Sequence, residues 1–225
     1  MAAGFNVTDM TSCRRHHCLY VADGNGHVVR RLDRRNGQQV AEWSMRDKSP
    51  VGLSVNSASN VVVSCSNSAS VHIYTALGCP VSEITINTTT PTVVSGLVHA
   101  VQLDCGSLVV IGLTTCGERL ACFYGKDAAL PAVIDSAGIS THVALVGGRA
   151  GSYVWLAETG ANACVRLVRL PASECSAKLP TVDLVEPDKI CWNERDQRLY
   201  VIDCGRVKVF HMNCDIRSSQ LERQR

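Results

Sequence analysis

The chain has 225 residues, 46% of them hydrophobic and 19% charged, with a formal net charge of +2. That composition excludes a disordered chain and supplies ample material for a buried core. A charge this small carries no argument for a nucleic-acid or membrane partner from overall electrostatics, and no apolar run approaches the roughly 18 residues of a membrane span.

The N-terminal residues 1–8 lack the basic and apolar regions of a secretory leader, so a cytoplasmic protein is expected. The first apolar run is Leu19-Tyr20-Val21-Ala22-Asp23. A turn containing Asn25-Gly26 leads into a strand over 28–32, and a half-polar strand follows over 40–43. A second unit opens on a lead strand over 50–55, turns through 56–60, and continues as Val61-Val62-Val63-Ser64-Cys65. Strands over 71–74 and 81–86 complete it.

The third unit has a lead strand over 99–103, the run Leu108-Val109-Val110-Ile111-Gly112, and a strand over 120–124. In the fourth, Gly147-Gly148-Arg149-Ala150-Gly151 is a hairpin turn before Tyr153-Val154-Trp155-Leu156-Ala157-Glu158, with a strand over 164–167. The fifth runs from 187–192 through Leu199-Tyr200-Val201-Ile202-Asp203 to 207–210. These runs are short, rich in β-branched residues and bounded by Gly, Asn, Asp and Ser, which is strand-and-hairpin chemistry. The near-continuous apolar second strands suit coverage on both faces, and the half-polar fourth strands suit an outer edge. No long helix is expected, except that the tail leaves room for one. Residues 214–225 are polar and expected to be mobile.

The five runs recur at intervals of 42, 47, 46 and 45 residues, counted between Val21, Val63, Val110, Leu156 and Val201. A period of about 40–50 residues is that of β-propeller blades. The expected fold is therefore all-β: a propeller of five recognisable blades at about 9–48, 49–96, 97–138, 139–184 and 185–213. Residues 2–8 are available to close the last blade.

Twelve cysteines fall at irregular spacings with no Cys-x-x-Cys, and several lie in expected strands (Cys18, Cys65, Cys122, Cys164, Cys191). Buried, reduced thiols are the expectation. Charge is uneven: residues 1–48 carry eight Lys/Arg against five Asp/Glu, whereas 49–165 carry three against six.

The Leu-Tyr-Val-Ala-Asp phrase, its Asn-Gly turn and the strand from His27-Val28-Val29 resemble an NHL repeat. Arg206-Val207-Lys208-Val209-Phe210 is similar to the end of that motif, and Glu158-Thr159-Gly160-Ala161-Asn162 to its turn. The resemblance covers about residues 10–213 and weakens in units two and three, where Cys65 and Gly112 replace the turn acid. It implies a propeller of usually six blades, so the ring is either five-bladed, six-bladed or incomplete. Members include ubiquitin ligases with preceding domains, RNA binders and, among related propellers, metal-dependent lactonases and lyases.

The acids Asp23, Glu158 and Asp203 stand at equivalent turns and are expected to accept backbone N–H bonds there. The lead-strand histidines His99 and His142 are expected to be hydrogen-bonded partners rather than catalysts. A zinc site from Cys13, His16, His17 and Cys18 has no standard spacing, so neither a metal nor a cofactor is expected. The basic residues Arg14, Arg15, His16, His17, Arg30, Arg31, Arg34 and Arg35 form the candidate binding patch. The expected function is a non-enzymatic scaffold that recognises a protein partner through its loop face. An RNA-binding propeller and a metal-dependent hydrolase or lyase are the alternatives.

Overall fold

A computed structural model describes residues 6–86, 94–126, 132–134, 139–146, 152–160, 163–170, 174–178, 184–193 and 195–212. Among these there is no helix, and hence none long and apolar enough to cross a membrane. The strands form five antiparallel sheets, each a meander in chain order.

The first sheet is β1 (Val7–Cys13), β2 (Cys18–Asp23), β3 (Val28–Asp33) and β4 (Gln39–Ser44). The second is β5 (Pro50–Val55), β6 (Val61–Cys65), β7 (Ser70–Tyr74) and β8 (Pro80–Thr85). The third is β9 (Val94–Gln102), β10 (Leu108–Thr114), β11 (Arg119–Tyr124) and β12 (Ala132–Val133). The fourth is β13 (Ile139–Val146), β14 (Ser152–Thr159), β15 (Cys164–Leu170) and β16 (Glu174–Lys178); the fifth is β17 (Pro187–Asn193), β18 (Arg198–Asp203) and β19 (Arg206–His211). Two compact units result, residues 1–140 and 141–225.

One expectation is corrected. Val7 and Thr8 do not close the last sheet, because they begin β1, where Val7 faces Asp23 across the ladder. The Thr8 hydroxyl also donates to the Pro50 carbonyl at 2.7 Å, tying the first sheet to the second. Thr141 repeats that bond onto Pro187 at 2.8 Å in the second unit. Residues 2–5, the turn 147–151 and the tail 214–225 lie outside the described residues.

The second strands explain the stacking. In β6 the odd residues Val61, Val63 and Cys65 pack with Tyr20, Ala22, Val29 and Trp43 of the first sheet. Val62 points the other way, into a cluster with Leu97, Ala100, Leu108 and Val110 of the third. An alternating strand with both rows apolar needs sheets on both sides, each buried Val or Leu contributing about 1.5–3 kcal/mol. In the second unit Trp155, Ala157, Val165 and Leu167 share a core with Ile190, Leu199 and Val201. The fourth strands β4 and β8 are edges, exposed along most of their length. Trp43 is the exception, turned inward against Tyr20 and Tyr74 with ring centroids 6.0 and 5.9 Å away.

Candidate functional site

The basic residues divide by place. The turn between β1 and β2 carries Arg14, Arg15, His16 and His17; the turn between β3 and β4 carries Arg34 and Arg35. The Arg34 N–H donates to the His17 carbonyl at 3.2 Å, so the two turns lie side by side. Arg14, Arg15, His17, Arg34 and Arg35 are exposed and His16 is half-buried. Asp33, the acid within this pair of turns, accepts the Arg35 backbone N–H at 2.7 Å. None of the six basic side chains forms an ion pair among the described residues.

Arg30 and Arg31 do not join them. Strand alternation sends these neighbours to opposite faces of β3. Arg30 donates to the carboxylates of Glu42 and, at 3.4 Å, Asp23, and to Gln39 at 3.0 Å. Arg31 reaches the Ala76 carbonyl of the second sheet at 3.5 Å. Both serve the sheets' own structure.

The turn acids follow a rule that the linear pattern left hidden. Each lies at the end of a second strand or one residue before it, and a cation stands on the facing strand opposite the residue two positions earlier: Val21 faces Arg30, Leu156 faces Arg166, and Val201 faces Lys208. Asp23 accepts the N–H groups of Asn6 and Gly26 at 3.3 and 3.0 Å. Burial alone would raise its carboxyl, but those N–H groups and Arg30 hold it below its ordinary value. Asp203 is alike: burial is outweighed by Lys208, 2.7 Å away, and by the N–H groups of Glu186 and Val185 at 2.6 and 3.0 Å. Glu158 adds a buried side-chain partner. Fully buried, its carboxylate accepts a two-pronged bond from Arg166, at 3.0 Å from Nε and 2.8 Å from the terminal nitrogen.

The two degenerate units obey the same geometry with other chemistry. Cys65 takes the acid's place and His72 the cation's, opposite Val63; in the third sheet the pair is Gly112 and Cys122, the latter opposite Val110. Burial pushes the Cys65 thiol up to about 12 and that of Cys122 to about 11, so both stay neutral. His72 Nε2 accepts from the Lys48 ammonium at 3.0 Å, which donates also to Glu83 at 3.2 Å.

Burial, and then the Lys48 charge, depress His72 below its ordinary 6.5, with Glu83 opposing them. A group depressed in the folded state contributes stability that is complete above its unfolded pKa and lost as pH falls through the folded value. Stability is therefore expected to decline below about pH 6.5, and the His72→Gln variant to decline less steeply. Urea midpoints measured from pH 7.5 to 5 check this; parallel profiles for the two proteins would remove the assignment.

The lead strands of the first three sheets are joined by a buried polar relay. The Leu53 N–H donates to Asp9 at 2.8 Å, and His99 Nε2 donates to the Leu53 carbonyl at 3.1 Å. The imidazole lies 3.7 Å from the Asp9 carboxylate. Gly52 allows this approach, because a Cβ there would meet the Val98 carbonyl oxygen at 2.4 Å. Asp9 drew no attention in the sequence; its one signal was an acid in an otherwise half-apolar strand. His142 is buried in β13 of the second unit. Cys13 and Cys18 face each other at the base of the basic turn and are buried, while His16 and His17 sit in the turn above them. Among the described residues, these four do not converge as a metal site.

No protein-family model and no curated protein matches this chain. Solved structures do. A gluconolactonase from Xanthomonas campestris, important in glucose secondary metabolic pathways, superposes with a TM-score of 0.67 at 11% identity, covering 87% of this chain and 69% of that one. The β-propeller domain of Cps50 (Swd1) from Myceliophteria thermophila gives 0.66 at 12%, covering 95% and 69%. A chain of the mitotic checkpoint complex gives 0.63 at 13%, covering 92% and 61%. The fold is a β-propeller, with five blades. At these identities the likeness establishes the fold alone.

Proposed function

We propose that this chain is a non-enzymatic, NHL-like interaction propeller that binds an acidic protein surface through the basic turns of its first blade. The observation that carries this is the cluster of Arg14, Arg15, His16, His17, Arg34 and Arg35 on two hydrogen-bonded turns, without ion pairs among the described residues. Cations held side by side on two bonded turns, with no ion pair among the described residues, favour an external acid, and their placement speeds encounter. The similar chain in the mitotic checkpoint complex supports a role within protein assemblies.

The quadruple variant Arg14→Glu, Arg15→Glu, Arg34→Glu, Arg35→Glu is expected to lower partner recovery from cell extract by about tenfold, equivalent to about 1.4 kcal/mol. Recovery is read by quantitative mass spectrometry against the unmodified chain. Unchanged recovery would exclude these turns. Binding of a random RNA pool that weakens steeply with salt would favour the nucleic-acid alternative instead.

The buried Asp9–His99 pair and the gluconolactonase likeness favour a second reading, a metal-dependent hydrolase. That reading requires a stoichiometric divalent cation after purification and a melting temperature lowered by chelator.

A further inference from the structure

In four sheets the third strand carries a fourth along its outer side: β4 on β3, β8 on β7, β12 on β11 and β16 on β15. In the fifth sheet β19 holds the same register, Asp203 facing Arg206 as Asp23 faces Val28. Among the described residues β18 is its one strand neighbour. Strand alternation sorts its side chains into two rows. Val207 and Val209 are 65% and 47% exposed, beside Ile202 at 40%. Arg206, Lys208 and Phe210 form the other row. Lys208 is turned onto Asp203 at 2.7 Å, whereas Arg206 is exposed and holds no ion pair among the described residues. The strand contains no acid.

We propose that the outer edge of β19 takes up an extended strand of a partner protein in which carboxylates alternate with β-branched apolar residues. Main-chain N–H and C=O groups along such an edge supply affinity, and the alternating side chains supply selectivity. A strand laid there places one row against Val207 and Val209 and the other against Arg206. Cross-strand pairs of β-branched residues and of opposite charges are the favourable ones.

Charge also weighs against the chain's own tail and against two registers of a second copy. A second copy pairing antiparallel about Lys208 sets that lysine against its own counterpart, and about Val207 it sets Arg206 against Lys208. Like charges directly opposite are destabilising. Residues 214–225 hold Arg217, Arg223 and Arg225 against Asp215 and Glu222, and so supply no run of carboxylates. This surface lies on a different sheet from the basic turns and does not depend on them.

Hydrogen exchange of the full-length protein tests the assignment. The probe is a blocked nonapeptide alternating glutamate with valine and threonine, and the control is the same peptide with lysine for glutamate. In the free monomer the outward amides of residues 206–211 are expected to exchange about a hundredfold faster than those of β18. The glutamate peptide is expected to slow them about tenfold or more at saturation, and Arg206→Glu to weaken its binding about tenfold. Three results would overturn the proposal. Slow outward amides in the free monomer would mean that the chain covers its own edge. Protection that follows dimer formation in sedimentation would name a second copy. Equal protection by both peptides, or by neither, would remove the charge selectivity on which the occupant rests.

Discussion

Replacing Glu158 with alanine is expected to destabilise the second unit by about 3–5 kcal/mol, the range for removing one partner of a buried ion pair. Glu158 is fully buried and Arg166 nearly so, and the two meet through two bonds of 3.0 and 2.8 Å. Without the carboxylate, the guanidinium remains inside the sheet with its main counter-charge gone. The attraction of the intact pair largely offsets the cost of desolvating both ions, so the penalty arises from stranding one of them. The double variant Glu158→Leu, Arg166→Met, which strands neither, is accordingly expected to recover most of the loss. Denaturant unfolding followed by tryptophan fluorescence reads this, because Trp155 lies in the same strand as Glu158, with Trp192 6.2 Å from it. A single variant within about 1 kcal/mol of the parent would show that Arg166 finds another counter-charge or escapes to water.

The second large effect is expected at Gly96. A Cβ at this position would lie 1.8 Å from the Ser66 carbonyl oxygen and 2.7 Å from its carbon. Both atoms are backbone, held by the turn between β6 and β7, so no rotamer change relieves the overlap. Gly96→Ala must push β9 away from the second sheet and open the cluster of Val62, Leu97 and Val110. Overpacking of this kind costs about 3 kcal/mol. Gly117 makes the contrast, since it has φ of +86° but nothing within 4 Å of its Cβ position. There alanine meets only backbone strain, about 1 kcal/mol. Thermal melts of the two variants separate close approach from conformation. Equal losses would refute the distinction.

Much of the architecture was legible because it repeats. A strand with apolar residues on both rows, such as Val61 to Cys65, is recognisable without coordinates, since only coverage on two faces makes it soluble. The turn acids were legible for a similar reason: a carboxylate where a second strand ends has backbone N–H groups to satisfy, and Asp23 and Asp203 do satisfy them. Glu158 has a further partner that the sequence did not name. Its longer side chain reaches Arg166, a partner fixed by ladder register rather than by the turn.

The candidate patch shows the same limit. Arg30, Arg31, Arg34 and Arg35 look alike in the chain, but Arg30 is spent on Asp23 and Glu42, Arg31 on a neighbouring carbonyl, and the other two stand in a turn beside Arg14 and Arg15. Asp9 and His99 are ninety residues apart, and nothing local marks them as neighbours.

The amino-acid order alone therefore determined the all-β class, the period of the repeat and the position of most strands, though not of β1, β12, β13 or β16. These follow from hydrophobic alternation and turn chemistry, which act over a few residues. Tertiary structure decided which polar groups meet. Three sheets must stack before Leu53 can bridge Asp9 to His99, and strands must fall into register before an arginine is committed to one acid or left facing solvent. Such pairings depend on distances across the fold, and spacing along the chain does not encode them locally.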